Sequence, residues 1–106
     1  MKRIIIDCDP GHDDIKAIFS ALAHPKEIEI LGFTTVCGNQ TLDKVTNNLC
    51  SVLSMIKANR FIAHGYDEPI FVDKDPQPAA HGESGLDGPI LSKPIIQPIN
   101  KHAIEF

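Results

Sequence analysis

The chain has 106 residues, a formal net charge of −4 and no basic cluster, which indicates one small domain and argues against a nucleic-acid partner. No apolar run approaches the ~20 residues that a membrane span requires, so no membrane partner is expected. Cys8, Cys37 and Cys50 are odd in number and lack zinc-type spacing, which indicates reduced thiols and a cytoplasmic protein.

Strand-like and helix-like segments alternate along the chain. A run of β-branched isoleucines predicts a buried strand near residues 3–7, and similar patterns predict strands near 28–36 and 60–63. Apolar residues at helical spacing predict helices near 13–24 and 41–58. This order predicts an α/β fold with three layers, in which helices flank a mostly parallel sheet.

The second half of the chain has a different character. Thr41 is placed to cap the second helix, but residues 66–98 are rich in proline and show no helical period. A stretch of this length without regular structure is usually functional or mobile in a compact domain. Residues 100–106 could begin a further helix.

An acidic turn follows the first predicted strand in the sequence DCDPGHDD. It places four carboxylates within eight residues, at Asp7, Asp9, Asp13 and Asp14. So much like charge is unfavourable unless a cation or a polar ligand compensates it. Because hard divalent cations prefer oxygen ligands, the turn predicts a metal site.

The expected geometry of the turn supports this interpretation. Asp7 and Asp9 are two residues apart, so an extended backbone directs both to the same side, and Gly11 allows the chain to break from the strand. Asp13 and Asp14 fall in the first turn of the next helix, where the helix dipole favours negative charge. The carboxylates should converge at the sheet edge where open α/β sheets bind ligands.

Simpler explanations exist for single members of this cluster. An aspartate at a helix start is often only a cap, and Asp-Pro-Gly is often only a turn. Each explains one or two of the four residues. The cluster as a whole favours binding of a metal or a polar ligand.

Three segments resemble the nucleoside hydrolases, the inosine–uridine preferring family. They are DCDPGHDD from Asp7, TTVCGNQTLDKVTNN from Thr34 and HGESGLDGP from His81, and they occur in the family's order at fitting separations. Together they align the whole chain, residues 1–106, with the N-terminal part of a single nucleoside hydrolase domain. The GHDD and HGESGLDGP forms are most similar to the bacterial pyrimidine-preferring ribonucleoside hydrolases.

The resemblance implies hydrolysis of the N-glycosidic bond of ribonucleosides, with calcium as the cofactor. By resemblance, Asp9 and Asp14 are the calcium ligands, and Asp9 also takes the proton from the attacking water. Asp13 is similar to the family residue that contacts a ribose hydroxyl. Asp7 resembles a supporting carboxylate that orients the turn.

Three further residues have two interpretations each. By resemblance, Asn39 lies at the ribose pocket, although Gly-Asn is also common turn chemistry. His81 lies near the base pocket by resemblance, although an exposed loop histidine is the simpler explanation. His12 either contacts substrate or pairs with neighbouring carboxylates. Glu83 is interpreted as a loop-stabilising acceptor rather than a catalyst.

The length of the chain bears on what it can do alone. Members of the resembled family are several times longer, and their sites also use a later aspartate and a later histidine. The chain is therefore expected to be a truncated form or a fragment, inactive alone, of a protein that binds a small ribonucleoside and forms a homo-oligomer at full length. The alternative is a non-catalytic remnant or a half-domain that needs a C-terminal partner.

A phosphotransferase of the haloacid dehalogenase type is a further alternative, since it also places Asp-x-Asp after an apolar strand. That pattern requires Thr or Val at the position held by Gly11, and it does not predict the Asp13–Asp14 pair.

Overall fold

The computed structural model describes residues 1–72, 82–86, 88, 91 and 93–106. It contains strands and helices in strict alternation: β1 Lys2–Cys8, α1 His12–Leu22, β2 Ile28–Thr35, α2 Leu42–Met55 and β3 Phe61–His64. No helix among the described residues combines the length and the apolar character needed to cross a membrane.

The three strands form one parallel sheet in the order β1-β2-β3. The predicted α/β fold, with helices packed on a parallel sheet, is confirmed. Because sequential parallel strands connect through right-handed crossovers, this order carries α1 and α2 to the same face of the sheet. The buried core lies between these helices and the sheet. Its centre contains Ile18 of α1, Phe33 of β2 and Leu49 of α2.

The other face of the sheet is covered only in part. The ring of Phe106 lies over Gly32, where a Cβ atom would come within 2.5 Å of the ring, and it also contacts the ring of Phe61 edge-on. Ile5 remains 48% exposed and Phe61 60% exposed on this face. The described part of the chain therefore leaves apolar surface open to solvent opposite the helices.

The second helix ends earlier than its predicted end near residue 58. Lys57 adopts a left-handed backbone with a φ of 56°, and the amide of Ala58 donates to the carbonyl of Leu53 at 2.9 Å. This reversal closes the helix and turns the chain toward β3. Thr41 does occupy the N-cap position of α2, but its side chain makes no capping hydrogen bond.

The later part of the chain has little regular structure. Among the described residues of 66–98 there is neither a helix nor a strand. The helix anticipated over 100–106 is limited to a turn, in which the amide of Phe106 donates to the carbonyl of His102 at 3.1 Å.

Candidate active site

The candidate site lies at the carboxyl edge of the sheet, where β1 and β2 end side by side. Cys8 pairs with Thr35 in the register, and the amide of Val36 donates to the carbonyl of Cys8 at 3.1 Å. The turn after β1, residues 9–11, therefore faces the loop after β2, residues 36–40. Parallel strands bring these two segments together at the edge where open α/β sheets bind ligands.

Asp9 is held by Asn39 at two points. The amide of Asn39 donates to Oδ2 of Asp9 at 3.0 Å, and its side-chain Nδ2 donates to the main-chain oxygen of Asp9 at 2.7 Å. One residue of the β2–α2 loop thus fixes both the backbone and the carboxylate of Asp9. Asn39 is more than a simple turn residue, because its side chain joins the two loops.

Asp14 stands next to Asp9 at the start of α1. Its Oδ2 accepts the amide hydrogen of Gly11 at 3.2 Å, which closes the first turn of the helix. Burial raises the pKa of Asp14 despite the opposing Gly11 bond, and the charges of Asp9 and Asp13 and a hydrogen bond to the Asp9 side chain raise it further. Two adjacent ionised carboxylates repel each other, and a shared proton or a cation between them would relieve that repulsion.

Asp7 lies within β1, two residues before Asp9. Its Oδ1 accepts the hydroxyl hydrogen of Thr34 at 2.6 Å, across the β1–β2 pairing. A charged acceptor strengthens such a bond, so the pair ties the ends of the two strands together just below the turn. Thr34 was not anticipated from the sequence, where it reads only as a β-branched strand residue.

The remaining predicted site residues lie at the start of α1 or outside the described residues. His12 and Asp13 begin α1 and are exposed on the same edge as Asp14. His81 lies outside the described residues, so its predicted position near a base pocket stays a prediction.

The end of the HGESG segment is attached to α2. Lys44 Nζ donates to the main-chain oxygen of Glu83 at 2.7 Å, and Asn48 Nδ2 donates to that of Ser84 at 2.5 Å. The Glu83 carboxylate lies 3.9 Å from Lys44 Nζ and is 87% exposed, so it adds little. Asn48 was missed in the sequence because it lies beside an apolar helix face and no short motif marks it.

The described residues supply two oxygen donors of the kind that a hard metal ion prefers. Asp9 and Asp14 offer carboxylate oxygens, but no group of three or more His, Cys, Asp or Glu side chains within the described ranges is arranged to hold an ion. Calcium takes about 6–8 oxygen ligands and accepts water and hydroxyl oxygens among them. The carboxylate pair fits such an ion as two donors, and further oxygens must come from elsewhere.

The position of the Cys8 thiol disfavours its ionised, reactive form. Burial raises its pKa to about 12, and the charges of Asp14, Asp7 and Asp9 act in the same direction. Burial is the largest of these causes. Since the thiolate is the nucleophile, Cys8 has no catalytic role at neutral pH.

A labelling experiment tests this placement of the thiols. All three cysteines are free, Cys8 and Cys50 are buried, and burial also raises the pKa of Cys50 to about 11. Iodoacetamide at pH 8 should therefore modify the half-buried Cys37 first, by a factor of roughly ten or more in rate, with peptide mass mapping as the measurement. Equal rates at Cys8 and Cys37 in the folded chain would contradict the burial.

The chain is similar in sequence to curated ribonucleoside hydrolases. The pyrimidine-specific ribonucleoside hydrolase RihB of Escherichia coli O1:K1 is 43% identical over 105 residues, covering 99% of this chain and 33% of that protein. The RihB of strain K12 is 42% identical with the same coverage. The chain thus spans about a third of the length of the curated relatives it matches.

Solved structures give the same picture. A plant nucleoside hydrolase, PpNRh1, superposes with a TM-score of 0.83 at 30% identity, over 98% of this chain and 33% of that one. The purine-preferring ribonucleoside hydrolase from Gardnerella vaginalis superposes with a TM-score of 0.88 at 24% identity, over 97% and 34%, which bears on the fold alone.

The family profile described as inosine-uridine preferring nucleoside hydrolase matches residues 4–106. That range includes the acidic turn, the Asn39 loop and the HGESG segment on which the resemblance rested. The chain belongs to the inosine-uridine preferring nucleoside hydrolase family.

Proposed function

We propose that this chain forms the N-terminal part of a ribonucleoside hydrolase site, which cleaves the N-glycosidic bond to give ribose and free base. The observation that carries the proposal is the pair of adjacent carboxyl groups of Asp9 and Asp14, held by the amides of Asn39 and Gly11 at the carboxyl edge of a parallel sheet. Family membership supports the same reaction class.

The carboxyl pair is proposed to hold calcium. The fit rests on the donors themselves, since two hard oxygen groups pressed together by the fold are relieved by a hard cation. When bound, such an ion lowers the pKa of its water and engages sugar hydroxyls. Asp7 and Thr34 keep the turn in place from below.

The residues at the carboxyl edge of the sheet are proposed to bind the nucleoside and to activate water. Asp9 accepts the proton that water gives up as its oxygen bonds to the anomeric carbon and the carbon–nitrogen bond to the base breaks. Asp13 binds a ribose hydroxyl, and Asn39 lies beside the ribose while orienting Asp9. His12 and His81 are proposed to act on the substrate side, with His81 toward the base.

Pyrimidine ribonucleosides are the proposed substrates. The support is the similarity to RihB proteins, which are described as pyrimidine-specific, together with the GHDD and HGESGLDGP forms. A cytoplasmic location agrees with three free cysteines, and a full-length form is proposed to be a homo-oligomer.

A half-domain that needs a partner polypeptide is the second candidate. The observation in its favour is the open apolar surface at Ile5 and Phe61, on the sheet face opposite the helices. A site that lacks part of its donors cannot stabilise a transition state as a preorganised whole does. The phosphotransferase alternative has no such support, because the family match covers residues 4–106 with a hydrolase family.

The test is ribose release from uridine, cytidine and inosine in calcium and in EDTA. We expect the chain alone to turn over poorly and a chimaera carrying the remaining two thirds of E. coli RihB to be active, with uridine preferred over inosine. Apolar discrimination of this kind is typically ~1–3 kcal/mol, or about 10- to 200-fold. A chimaera that prefers inosine would refute the pyrimidine assignment, and robust turnover by the chain alone would refute the half-domain.

A further inference from the structure

Gly38 lies against the side chain of Asp9. A Cβ atom at this position would collide with Oδ2 of Asp9, lie 2.9 Å from its Cγ and 3.1 Å from its Cβ. Those are the three nearest atoms to the added carbon. Gly38 does not adopt the left-handed conformation that the three positive-φ glycines of the described chain share, so alanine meets no backbone obstacle there.

The loop that carries Gly38 has little freedom to move away. The amide of Cys37 donates to the carbonyl of Tyr66 at 3.3 Å, and the amide of Gly38 donates to that of Gln40 at 3.1 Å. Gln40 is 4% exposed, and its Oε1 accepts the amide hydrogen of Thr41 at 3.0 Å. Because these bonds and the burial of Gln40 restrain the loop, an added side-chain carbon is expected to displace the Asp9 side chain rather than the loop.

The orientation of Asp9 then determines which of its oxygens is available. Oδ2 is engaged by the amide of Asn39, the residue after Gly38, and this bond requires the close approach that a glycine permits. The carboxylate is directed in this way toward its neighbour Asp14. A rotation of the Asp9 side chain away from the loop would break the Asn39 bond and separate the two carboxyl groups.

We infer that Gly38 is a positioning residue of the site, whose missing side chain sets the orientation of the Asp9 carboxylate for binding a divalent cation. The cation part rests on the proposed function, whereas the contact between Gly38 and Asp9 does not. The sequence offers a simpler account, in which Gly38 serves only the turn. In that account, the effect of a substitution at Gly38 on stability does not depend on whether Asp9 is present.

A double-mutant cycle on the whole chain separates the two accounts without a cation. Thermal unfolding in EDTA is measured for the wild type, Gly38→Ala, Asp9→Ala and the double variant. We expect Gly38→Ala to lower the unfolding midpoint by several degrees in the wild type and by much less in the Asp9→Ala background, where Cγ and Oδ2 are gone. An equal decrease in both backgrounds would overturn the inference. If Gly38→Ala fails to fold, recovery of folding in the double variant supports the inference, and failure of both overturns it.

Gly65→Ala is the matched control. Gly65 lies at the same sheet edge, and its added Cβ would come within 2.5 Å of the carbonyl oxygen of Thr35 rather than near Asp9. Its decrease in midpoint should therefore be the same whether or not Asp9 is replaced.

Calcium titration by calorimetry supplies the functional measurement. Gly38→Ala should bind calcium about tenfold more weakly than the wild type, equivalent to ~1.4 kcal/mol, whereas Gly65→Ala should bind with unchanged affinity. Wild-type affinity in Gly38→Ala would overturn the inference. If the wild-type chain alone binds no calcium, the same titration is made on the chimaera that carries the remaining two thirds of E. coli RihB. Absence of binding there would overturn the proposed cation site, and the unfolding cycle would then decide whether Gly38 positions Asp9.

Discussion

Replacing Asp9 with alanine is expected to abolish hydrolysis by the completed enzyme, with turnover at least ~10³-fold lower, because a general base alone contributes about 10²- to 10⁴-fold. The substitution also removes one of the two carboxylates proposed to hold calcium. Asp9 lies where both roles converge, since it is adjacent to Asp14 and is held by Asn39.

The measurement is ribose release by the chimaera, with calcium titration of the same variant. Asp67→Ala is the matched control, because Asp67 is exposed in the loop after β3 and the substitution changes charge equally. It should leave turnover and calcium affinity unchanged. Far-ultraviolet circular dichroism verifies that Asp9→Ala is folded. Turnover of the Asp9→Ala protein at the wild-type rate would count decisively against the assigned role.

The alternation of elements could be predicted from the sequence because each segment is dominated by one period. The isoleucine run of β1 and the apolar spacing of α2 leave little choice, and the described strands begin and end within a few residues of the expected positions. The end of α2 could not be predicted, because Lys57 gives no signal for a left-handed residue. Glycine or asparagine normally marks that position.

The acidic half of the site could be predicted for a similar reason. The four aspartates lie close together in the chain, and the strand-to-helix turn leaves them few ways to diverge. The contacts between loops could not, since they join residues distant in sequence. Thr34 with Asp7, Asn39 with Asp9 and the close approach of Gly38 all depend on the strand register, which the sequence pattern does not specify.

The charge of Asp14 is expected to affect the stability of the fold in opposite directions without and with calcium. Burial raises the folded-state pKa of Asp14, and the charges of Asp9 and Asp13 add to this. A raised folded-state pKa stabilises the fold below the unfolded-state pKa, and that contribution is lost as pH rises through the folded-state value. At neutral pH without a cation, the ionised Asp14 is therefore unfavourable for folding.

Asp14→Asn should consequently be at least as stable as the wild type in EDTA at pH 7, because asparagine removes the charge and can still accept the amide hydrogen of Gly11. In calcium the order should reverse. At a free calcium concentration 100 times the dissociation constant, binding stabilises the wild type by ~2.7 kcal/mol, or about 10 °C or more in unfolding midpoint for a domain of this size. The unfolding midpoint of Asp14→Asn should rise by only a small part of this amount in calcium.

Thermal unfolding of both proteins in EDTA and in calcium is the measurement, with Asp67→Ala as a charge control that should follow the wild type in both buffers. Lowering the pH should narrow the gap between the wild type and Asp14→Asn in EDTA, because protonation removes the same charge that asparagine lacks. An Asp14→Asn protein that gains as much from calcium as the wild type would exclude Asp14 as a ligand. A variant markedly less stable than the wild type in EDTA would show instead that the Asp14 charge stabilises the fold, as a helix-start carboxylate with no cation site would.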